Sequence, residues 1–462
     1  MTVNKQVIQS SLGFISVLIT ILYLVDLFFP TAWLEILYSS LAGIVLLFAI
    51  FSVRRLNQVV AVLLVVVAGV IFILNQVPPL TIISGFGENI NLLTLFLLVP
   101  FFGVIISIGG YLTALKEKVH EQEQHNKAHP YRLSYLLTAS MGAILNLGSM
   151  PIVYRIAVES FSGYRRKKLV MVLLRAFGFC MFWSPYFVNV GLVLVLFNVS
   201  WLHVGWVGFL IGLCYLMISL FFFNKIHFAD DPMVETDDIG GAVNRGEATK
   251  KLVSLLCFSV TLLIISFILD YLLLVNMLTV VSVLALFYPV LWAAIIGTLV
   301  DYLQAVVEQM KTAFIRLKNE IVIFISAGFF GLALSYTEVG DVISHLIYDA
   351  SYGSIYVMSI LIILLSIFLS FCGIHPVIIV IGIGSSLSPA LFGVSPEYMA
   401  VLLIVAWTLA TQVSPFSGSV LMTSGLMQQS PWRVSQRNLG FVAVLLVSLP
   451  SLLVLLQHFG LL

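Results

Sequence analysis

The stretch Thr411-Gln412-Val413-Ser414-Pro415-Phe416-Ser417-Gly418-Ser419 interrupts a long apolar run, and Trp183-Ser184-Pro185-Tyr186-Phe187 interrupts another in the first half of the chain. Proline lacks a backbone N–H and disrupts a helix at its position. In hydrocarbon the freed backbone groups find no water, so such a break is tolerated only where it is buried in protein or lines a cavity. The two stretches therefore predict a membrane protein with two discontinuous helices.

A second pair of interruptions precedes the first. Gly148-Ser149-Met150-Pro151 lies within the apolar run 133–157, and Gly373-Ile374-His375-Pro376 lies within the run 354–388. The order of a Gly-x-x-Pro interruption, a Ser-Pro break and a final apolar run thus occurs twice. Repeats that carry discontinuous helices are typical of secondary transporters.

Composition supports a chain that is membrane-embedded throughout. The hydrophobic fraction is 61% and the charged fraction 9%, with a mean hydropathy of +1.11, whereas soluble domains carry about 25% charged residues. The apolar runs have the length that crosses hydrocarbon as a helix, about 20 residues, and lack the alternation of a transmembrane barrel. We therefore predict an all-α polytopic protein with the lipid bilayer as a partner.

Other classes of ligand find little support in the sequence. A net charge of +1 and the absence of a basic stripe predict no nucleic-acid partner. The cysteines lack metal-ligand spacing and indicate no disulfide framework. No cofactor is predicted, although a coupling Na⁺ or H⁺ would be required for active transport.

The distribution of Lys and Arg predicts the topology, because cytoplasmic loops are enriched in these residues. Runs 133–157 and 354–388 would each join two loops of the same kind, positive in the first case and lacking Lys and Arg in the second. Each is therefore predicted to be a re-entrant hairpin, the first entering from the cytoplasm and the second from outside. About eleven crossings remain in a cell membrane, with a cytoplasmic N-terminus and an external C-terminus. The two halves then form an inverted repeat.

The second half of the chain resembles carriers of the ion transporter superfamily. The resemblance lies in the run 324–343, in the Gly373–Pro376 hairpin and in the stretch from Thr411 to Ser419. This superfamily includes divalent-anion/sodium symporters, citrate carriers and the large membrane subunits of tripartite carriers. The symporters carry Ser-Asn-Thr at both hairpin tips, where this chain has Leu145-Asn146-Leu147-Gly148-Ser149 and Cys372-Gly373-Ile374-His375-Pro376.

The resemblance implies an elevator-type carrier, in which a moving domain slides against a scaffold, and a homodimer. The implied division is a scaffold of helices 1–4 and 7–9 and a moving domain of both hairpins with helices 5, 6, 10 and 11. The corresponding segments are 1–115 (scaffold helices 1–4), 116–224 (inner hairpin, broken helix 5 and helix 6), 225–250 (a solvated cytoplasmic loop), 251–345 (scaffold helices 7–9) and 346–462 (outer hairpin, broken helix 10 and helix 11). Within the scaffold, 301–320 is amphipathic and is expected to lie along the cytoplasmic interface; the alternative is an extension of a membrane helix.

Hairpin tips and helix breaks that meet at mid-membrane would form a solute site, because half-helix N-termini attract anions and unwound carbonyls coordinate cations. The substrate-binding candidates are Asn146, Ser149, Ser184, Asn189, His375, Ser414, Ser417, Ser419 and Arg175. The candidates for a Na⁺ site are Gly148, Pro185, Gly373 and Pro415. In the alternative interpretation, each proline only kinks a packed helix and each serine bonds to its own backbone. Arg175 would then extend to the interface, and His375 would be a neutral, hydrogen-bonded histidine.

The function that fits these features is secondary active transport of a small solute, an organic or inorganic anion, coupled to Na⁺ or H⁺. A cation/proton antiporter of the same superfamily is an alternative, although few carboxylates lie in the apolar runs. A membrane-embedded enzyme is an alternative from another class. It would show a large external loop or a catalytic Asp or His pair, and neither is visible, so the sequence predicts a protein that is not an enzyme.

Overall fold

The computed structural model describes residues 2–124, 129–234, 245–273 and 275–462. Within these ranges, eleven stretches are long and apolar enough to cross a membrane. The prediction of an all-α polytopic membrane protein is confirmed. The helices are α1 (Thr2–Phe28), α2 (Ala32–Ala49), α3 (Arg55–Leu74), α4 (Pro79–Ser84), α5 (Ile90–Leu98), α6 (Pro100–Ile108), α7 (Tyr111–Gln124), α8 (Pro130–Leu145), α9 (Ser149–Ser160), α10 (Arg166–Cys180), α11 (Val188–Phe197), α12 (Trp201–Phe221), α13 (Arg245–Leu272), α14 (Met277–Ile295), α15 (Leu299–Leu334), α16 (Val339–Ala350), α17 (Ile355–Phe371), α18 (Pro376–Gly384), α19 (Pro396–Val413), α20 (Gly418–Met427) and α21 (Pro431–His458).

Helices α8 and α9 form the first hairpin. The backbone N–H of Arg165, which follows α9, donates to the hydroxyl of Tyr131, in the first turn of α8, at 2.8 Å. Pro130–Ser160 is long enough to cross a bilayer by length and composition. Its two ends nevertheless lie together, so the segment returns to the side from which it enters.

Helices α17 and α18 form the second hairpin. Tyr348, at the end of α16, and Phe392, which follows α18, have ring centroids 5.9 Å apart. The Ser344 hydroxyl, also in α16, donates to the carbonyl of Ser386 at 2.6 Å. Since α16 leads directly into α17, the two ends of this hairpin also lie on one side.

The two helices that contain Ser-Pro are broken where the sequence predicts. Residues 181–187 separate α10 from α11, and residues 414–417 separate α19 from α20. The two broken helices run in opposite directions. Arg166 Nη2 at the start of α10 donates to the carbonyl of Leu426 at the end of α20, at 3.3 Å. The two halves of the chain are therefore inverted relative to each other.

The amphipathic segment 301–320 is not a separate helix. It forms the first part of α15, a continuous helix of 36 residues. Its apolar side packs on protein, since Phe314 is fully buried and a Cβ atom on Gly13 of α1 would lie 2.6 Å from the carbonyl oxygen of Met310. An apolar stripe fits another helix as well as it fits lipid, which is why the sequence pattern did not separate the two. The position of the membrane boundary along α15 stays a prediction.

The predicted solvated loop 225–250 is in part docked on the protein, and residues 235–244 lie outside the described ranges. Met233–Val234 (β2) pairs antiparallel with Tyr164–Arg165 (β1). We call residues 226–234 the strap. Asp231 of the strap is only 4% exposed, and its carboxylate accepts the backbone N–H groups of Lys167 and Lys168 at 2.9 and 3.0 Å. A distant carboxylate thus caps the N-terminus of α10.

The neighbouring residue of the strap is exposed and makes an ion pair. The ammonium of Lys167 lies 2.5 Å from a carboxylate oxygen of Asp230, and Gln429 Nε2 donates to the same oxygen at 3.1 Å. The hydrogen bond from Lys167 holds the pKa of the Asp230 carboxyl below its usual value. The strap therefore links the start of α10 to the segment between α20 and α21.

Candidate functional site

The two Ser-Pro breaks make the same hydrogen bonds to the hairpin that precedes each of them. Ser184 Oγ donates to the carbonyl of Ala143 in α8 at 2.6 Å, and Ser414 Oγ donates to the carbonyl of Ser370 in α17 at 2.7 Å. Each serine oxygen also accepts the backbone N–H two residues later, at 3.3 Å in both cases. These matched bonds fix each break against the last turn of a hairpin helix.

A second pair of bonds closes each break on itself. Asn189 Nδ2 donates to the carbonyl of Met181 at 2.7 Å, and Ser419 Oγ donates to the carbonyl of Thr411 at 2.8 Å. Each acceptor lies three residues before the break serine and each donor five residues after it. The two breaks therefore have hydrogen bonds at equivalent positions, although the donor is an amide in one half and a hydroxyl in the other.

The hairpin tips correspond in the same register. Asn146 and Gly373 each lie three residues after the carbonyl that accepts the break serine, and both have positive φ, +54° and +85°. Glycine adopts positive φ without strain. Asn146 has ψ −139°, outside the left-handed helical region that asparagine tolerates, so its backbone is strained. The Asn146 side chain accepts the N–H of Leu147 at 2.8 Å, which supports the turn locally.

The structure brings the predicted serines together but uses their hydroxyl hydrogens within the protein. Ser149 donates to the carbonyl of Asn146 at 2.9 Å, and Ser417 donates to that of Thr411 at 2.7 Å. All the predicted serines are almost completely buried: Ser149, Ser184, Ser414, Ser417 and Ser419. These hydroxyls retain acceptor lone pairs but no free donor, so direct contact with a solute stays a prediction.

Only part of the tips and breaks is accessible. Gly148 is exposed, and Asn146 and His375 are half-buried. His375 precedes α18, and its Nδ1 accepts the backbone N–H of Val377 at 3.3 Å, so the imidazole caps that helix. Phe416 is 50% exposed, and its ring packs edge-on against that of Trp432 with centroids 6.1 Å apart.

Arg175 lies away from the first break and is connected to the second. It precedes Ser184 by nine residues, and Asn438 bridges it to the carbonyl of Gln412, two residues before Ser414. Its side chain is 2% exposed, its Nε donates to Asn438 Oδ1 at 3.3 Å and its guanidinium lies 4.3 Å from the centre of the Phe441 ring. The alternative in which Arg175 extends to the interface is therefore wrong. Contact of Arg175 with a solute stays a prediction.

The predicted Na⁺ positions lie at the tips and breaks, as the sequence placed them. Gly148 and Gly373 are in the two tips, and Pro185 and Pro415 follow the break serines. A Na⁺ ion at these positions would be held by backbone carbonyls, since no group of three His, Cys, Asp or Glu side chains in the described ranges has metal-binding geometry. The occupancy of these positions stays a prediction.

Three polar residues of the same region were not predicted. Gln412 Nε2 donates to the carbonyl of Leu174 at 3.3 Å, Tyr215 donates to Gln412 Oε1 at 3.2 Å, and Asn438 Nδ2 donates to the Gln412 carbonyl at 3.0 Å. This network joins α10, α12, α19 and α21. Its members are far apart in the sequence, and no motif links them. The only signal was the presence of amide side chains inside apolar runs, which need partners when buried.

The comparisons with known proteins identify a fold but no family. No family model matches the chain, and no curated protein matches it. Among solved structures, the YdaH transporter of Alcanivorax borkumensis, described as having an unusual topology, is similar with a TM-score of 0.57 and 14% identity. The match covers 82% of this chain and 88% of that one. The chain has the fold of a membrane transporter.

Proposed function

We propose that this protein is an elevator-type secondary transporter that moves a small organic or inorganic anion across a cell membrane, coupled to Na⁺ or H⁺. The observation that carries the proposal is the matched pair of bonds from Ser184 to Ala143 and from Ser414 to Ser370. Each bond joins a broken helix to the hairpin that precedes it, and the two broken helices run in opposite directions. This arrangement is the one in which secondary transporters bind solutes.

The directions of the half-helices favour an anion. Four helices begin at a tip or a break: α9, α11, α18 and α20. Their N-terminal N–H groups therefore point into one layer, the one that contains the tips and the breaks. Such N-termini carry partial positive charge and bind anions. Helices α8, α10, α17 and α19 end in the same layer and present carbonyls, which suit a coupling cation.

The contacts between the proposed moving domain (116–224 and 346–462) and scaffold (1–115 and 251–345) are unequal in the two halves. Tyr186 is 1% exposed and bonds to Ser266 of scaffold helix α13 at 2.8 Å. Phe416, the matching residue two positions after the other break serine, is 50% exposed. Unequal surroundings for equivalent residues are expected of one end state of an inverted repeat, because the other state exchanges them.

The contact of the second tip indicates which end state this is. A Cβ atom on Gly373 would lie 2.6 Å from Leu56 Cδ2, at the start of α3. Leu56 follows Arg54-Arg55, which the positive-inside rule places in the cytoplasm. The tip that enters from outside thus reaches the proposed cytoplasmic end of the scaffold, which supports an inward-facing state.

The proposal is tested on purified protein. Thermal unfolding is measured with a panel of small carboxylates and inorganic anions, with and without Na⁺ and at several pH values. Uptake of any stabilising anion is then measured in proteoliposomes. We expect one class of anion to raise the Tm, since a ligand at a hundred times its Kd stabilises by about 2.7 kcal/mol, and a Na⁺ or pH gradient to drive its uptake. Proton movement driven by Na⁺ without any anion would contradict the proposal and favour the antiporter.

A further inference from the structure

Arg175 has a buried positive charge without a counter-charge. Its side chain is 2% exposed, and its Nη1 atom has no hydrogen-bond partner among the described residues. Its polar contact in these ranges is the neutral amide of Asn438, and the ring of Phe441 covers one face. No ion pair to Arg175 is found in the part of the chain that the structure describes. A charge removed from water is strongly disfavoured unless an opposite charge accompanies it.

Unpaired hydroxyl groups lie on α8, the helix that packs along α10. Cys180 Sγ contacts the carbonyl of Ala139, and Ser184 Oγ that of Ala143, with residue numbers that differ by 41 in both pairs. The helices are parallel, and the same difference places Ser134 opposite Arg175. Ser134 Oγ and Thr138 Oγ1, one turn apart on α8, are buried and have no partner in the described ranges.

Tyr135 adds a third hydroxyl to this set. Its Oη is also buried without a partner in the described part of the chain. The ring is close enough to interact electrostatically with Arg175 and Tyr215. Buried polar atoms nearly always have a partner. Several unpaired donors around one cation therefore indicate a bound species that accepts their hydrogen bonds.

We propose that a small monovalent anion of about the size of chloride binds between α8 and α10, held by Arg175 Nη1 and the hydroxyls of Ser134, Tyr135 and Thr138. All four groups are donors, which is what an anion needs, and one guanidinium balances one negative charge. One guanidinium and three hydroxyls on adjacent turns suit a compact ion rather than a large organic one. None of the four groups belongs to a hairpin tip or a Ser-Pro break, so this anion is distinct from the solute proposed to bind there.

The bound anion stabilises the moving domain. It compensates the charge of Arg175, whose Nε holds Asn438 Oδ1, and the Nδ2 of Asn438 holds the carbonyl of Gln412 two residues before the break serine Ser414. Arg175 is therefore a positioning residue for the second break. The anion links α8 and α10 of the first half to α19 and α21 of the second.

The test measures unfolding of the purified chain without any transported solute. Protein is exchanged into sodium gluconate, and chloride replaces gluconate at constant ionic strength. Gluconate is too large for the site. We expect a saturable rise in Tm of roughly 2–5 °C with chloride, because a ligand that binds only the folded state stabilises it. Bromide should act similarly, and a Tm that does not change with chloride or bromide would overturn the proposal.

Variants locate the effect. Arg175→Gln removes the charge and should abolish the chloride dependence, whereas Arg155→Gln, which removes an exposed charge (76% exposed side chain), should retain it. Ser134→Ala should weaken chloride binding about tenfold. The matched control is Ser140→Ala on the same helix, since that exposed hydroxyl already bonds to the carbonyl of Leu136.

If Arg175→Gln does not fold, Ser134→Ala and Tyr135→Phe still decide, and an unchanged chloride affinity in both would refute the site. Failure here leaves the proposed transport function intact, which is judged by solute uptake.

Discussion

Thr411 Oγ1 lies 3.6 Å from the Sδ of Met181, and these residues occupy equivalent positions, each three residues before a break serine. The carbonyls of the same two residues accept the side chains of Ser419 and Asn189. The two halves thus touch each other at matching points. This contact indicates that both broken helices belong to one structural unit. The pseudo-twofold axis that relates the two halves passes between Met181 and Thr411.

That structural unit should move as one against the scaffold, and disulfides can show it. A Cβ atom on Gly191 of α11 would lie 3.5 Å from Leu278 Cβ of scaffold helix α14, within the range for a disulfide. In a background without Cys214, Cys257 and Cys372, oxidised Gly191→Cys/Leu278→Cys protein should lose transport and recover it on reduction.

The matched control joins two helices of the proposed moving domain. A Cβ atom on Gly142 of α8 would lie 3.1 Å from the sulfur of the native Cys180 of α10. Oxidised Gly142→Cys protein should keep transport, because both helices move together. Transport that persists at full cross-linking of Gly191→Cys/Leu278→Cys would argue against sliding at this interface. Quantitative thiol labelling after oxidation measures the extent of cross-linking in both proteins.

The break serines should matter to stability in a symmetrical way. Ser184→Ala and Ser414→Ala each remove two hydrogen bonds, one to a hairpin carbonyl and one from the backbone N–H two residues later. We expect each substitution to cost about 1–3 kcal/mol, measured by denaturant or thermal unfolding. Solute affinity per folded molecule should change less than stability. An unchanged Tm together with a large loss of affinity would show instead that the serine binds the solute directly.

The sequence was sufficient to predict the breaks and hairpins because their signals are local. Pro185 and Pro415 remove backbone donors, Gly373 supplies a positive φ, and the distribution of Lys and Arg indicates on which side each hairpin returns. Each of these residues affects the backbone within a few positions of itself. The fold class and the two interruptions in each half could therefore be predicted without any tertiary information.

The hydrogen-bond partners of the polar side chains could not be predicted, because they depend on packing between segments that are distant in the sequence. Arg175 finds Asn438 at a distance of 263 residues in the sequence. The capping of α10 by Asp231 likewise joins residues more than 60 positions apart. The serine hydroxyls were assigned to a solute because the sequence did not show that hairpin carbonyls would accept them.

The two tips should respond in opposite ways to substitution. Asn146 has φ +54° where the equivalent residue of the other tip is Gly373. Asn146→Gly should raise stability by about 1 kcal/mol, because φ +54° and ψ −139° strain an asparagine and glycine adopts them without strain. Gly373→Ala should cost about 1–3 kcal/mol, since φ is +85° and the added Cβ would lie 2.6 Å from Leu56. Thermal unfolding of both variants and of Gly373→Ala/Leu56→Ala measures how much of the cost is the contact with Leu56. A tolerated Gly373→Ala would mean that the tip is not held against the scaffold.

The strap should stabilise the start of α10 through Asp231. This carboxylate accepts two N–H groups at the N-terminus and is 4% exposed. Asp231→Ala should therefore lower the free energy of unfolding by about 1–2 kcal/mol, and the effect should appear as faster hydrogen exchange of the first turn of α10. Asp230→Ala is the matched control, since the exposed carboxylate of Asp230 bonds to the side chains of Lys167 and Gln429 and not to the backbone of α10. Equal effects of the two substitutions would show that the cap contributes nothing.

His375 has two separable roles, as the cap of α18 and as a group whose protonation responds to a bound anion. Its Nδ1 accepts the N–H of Val377, which requires that nitrogen to be unprotonated, and the positive end of α18 disfavours an imidazolium. A bound anion beside the tip would offset this and favour the protonated form, so that solute affinity would rise as pH falls.

His375→Asn keeps an N-cap residue but cannot titrate, whereas His375→Ala lacks both properties. We expect the Tm of His375→Asn to match the parent and that of His375→Ala to be lower, with a cost of about 1 kcal/mol. Solute affinity measured between pH 5 and pH 8 should depend on pH in the parent and be nearly flat in His375→Asn. Identical pH profiles in these two proteins would leave His375 as a capping residue only, and the coupling ion would then be sought at the carbonyls around Gly148 and Gly373.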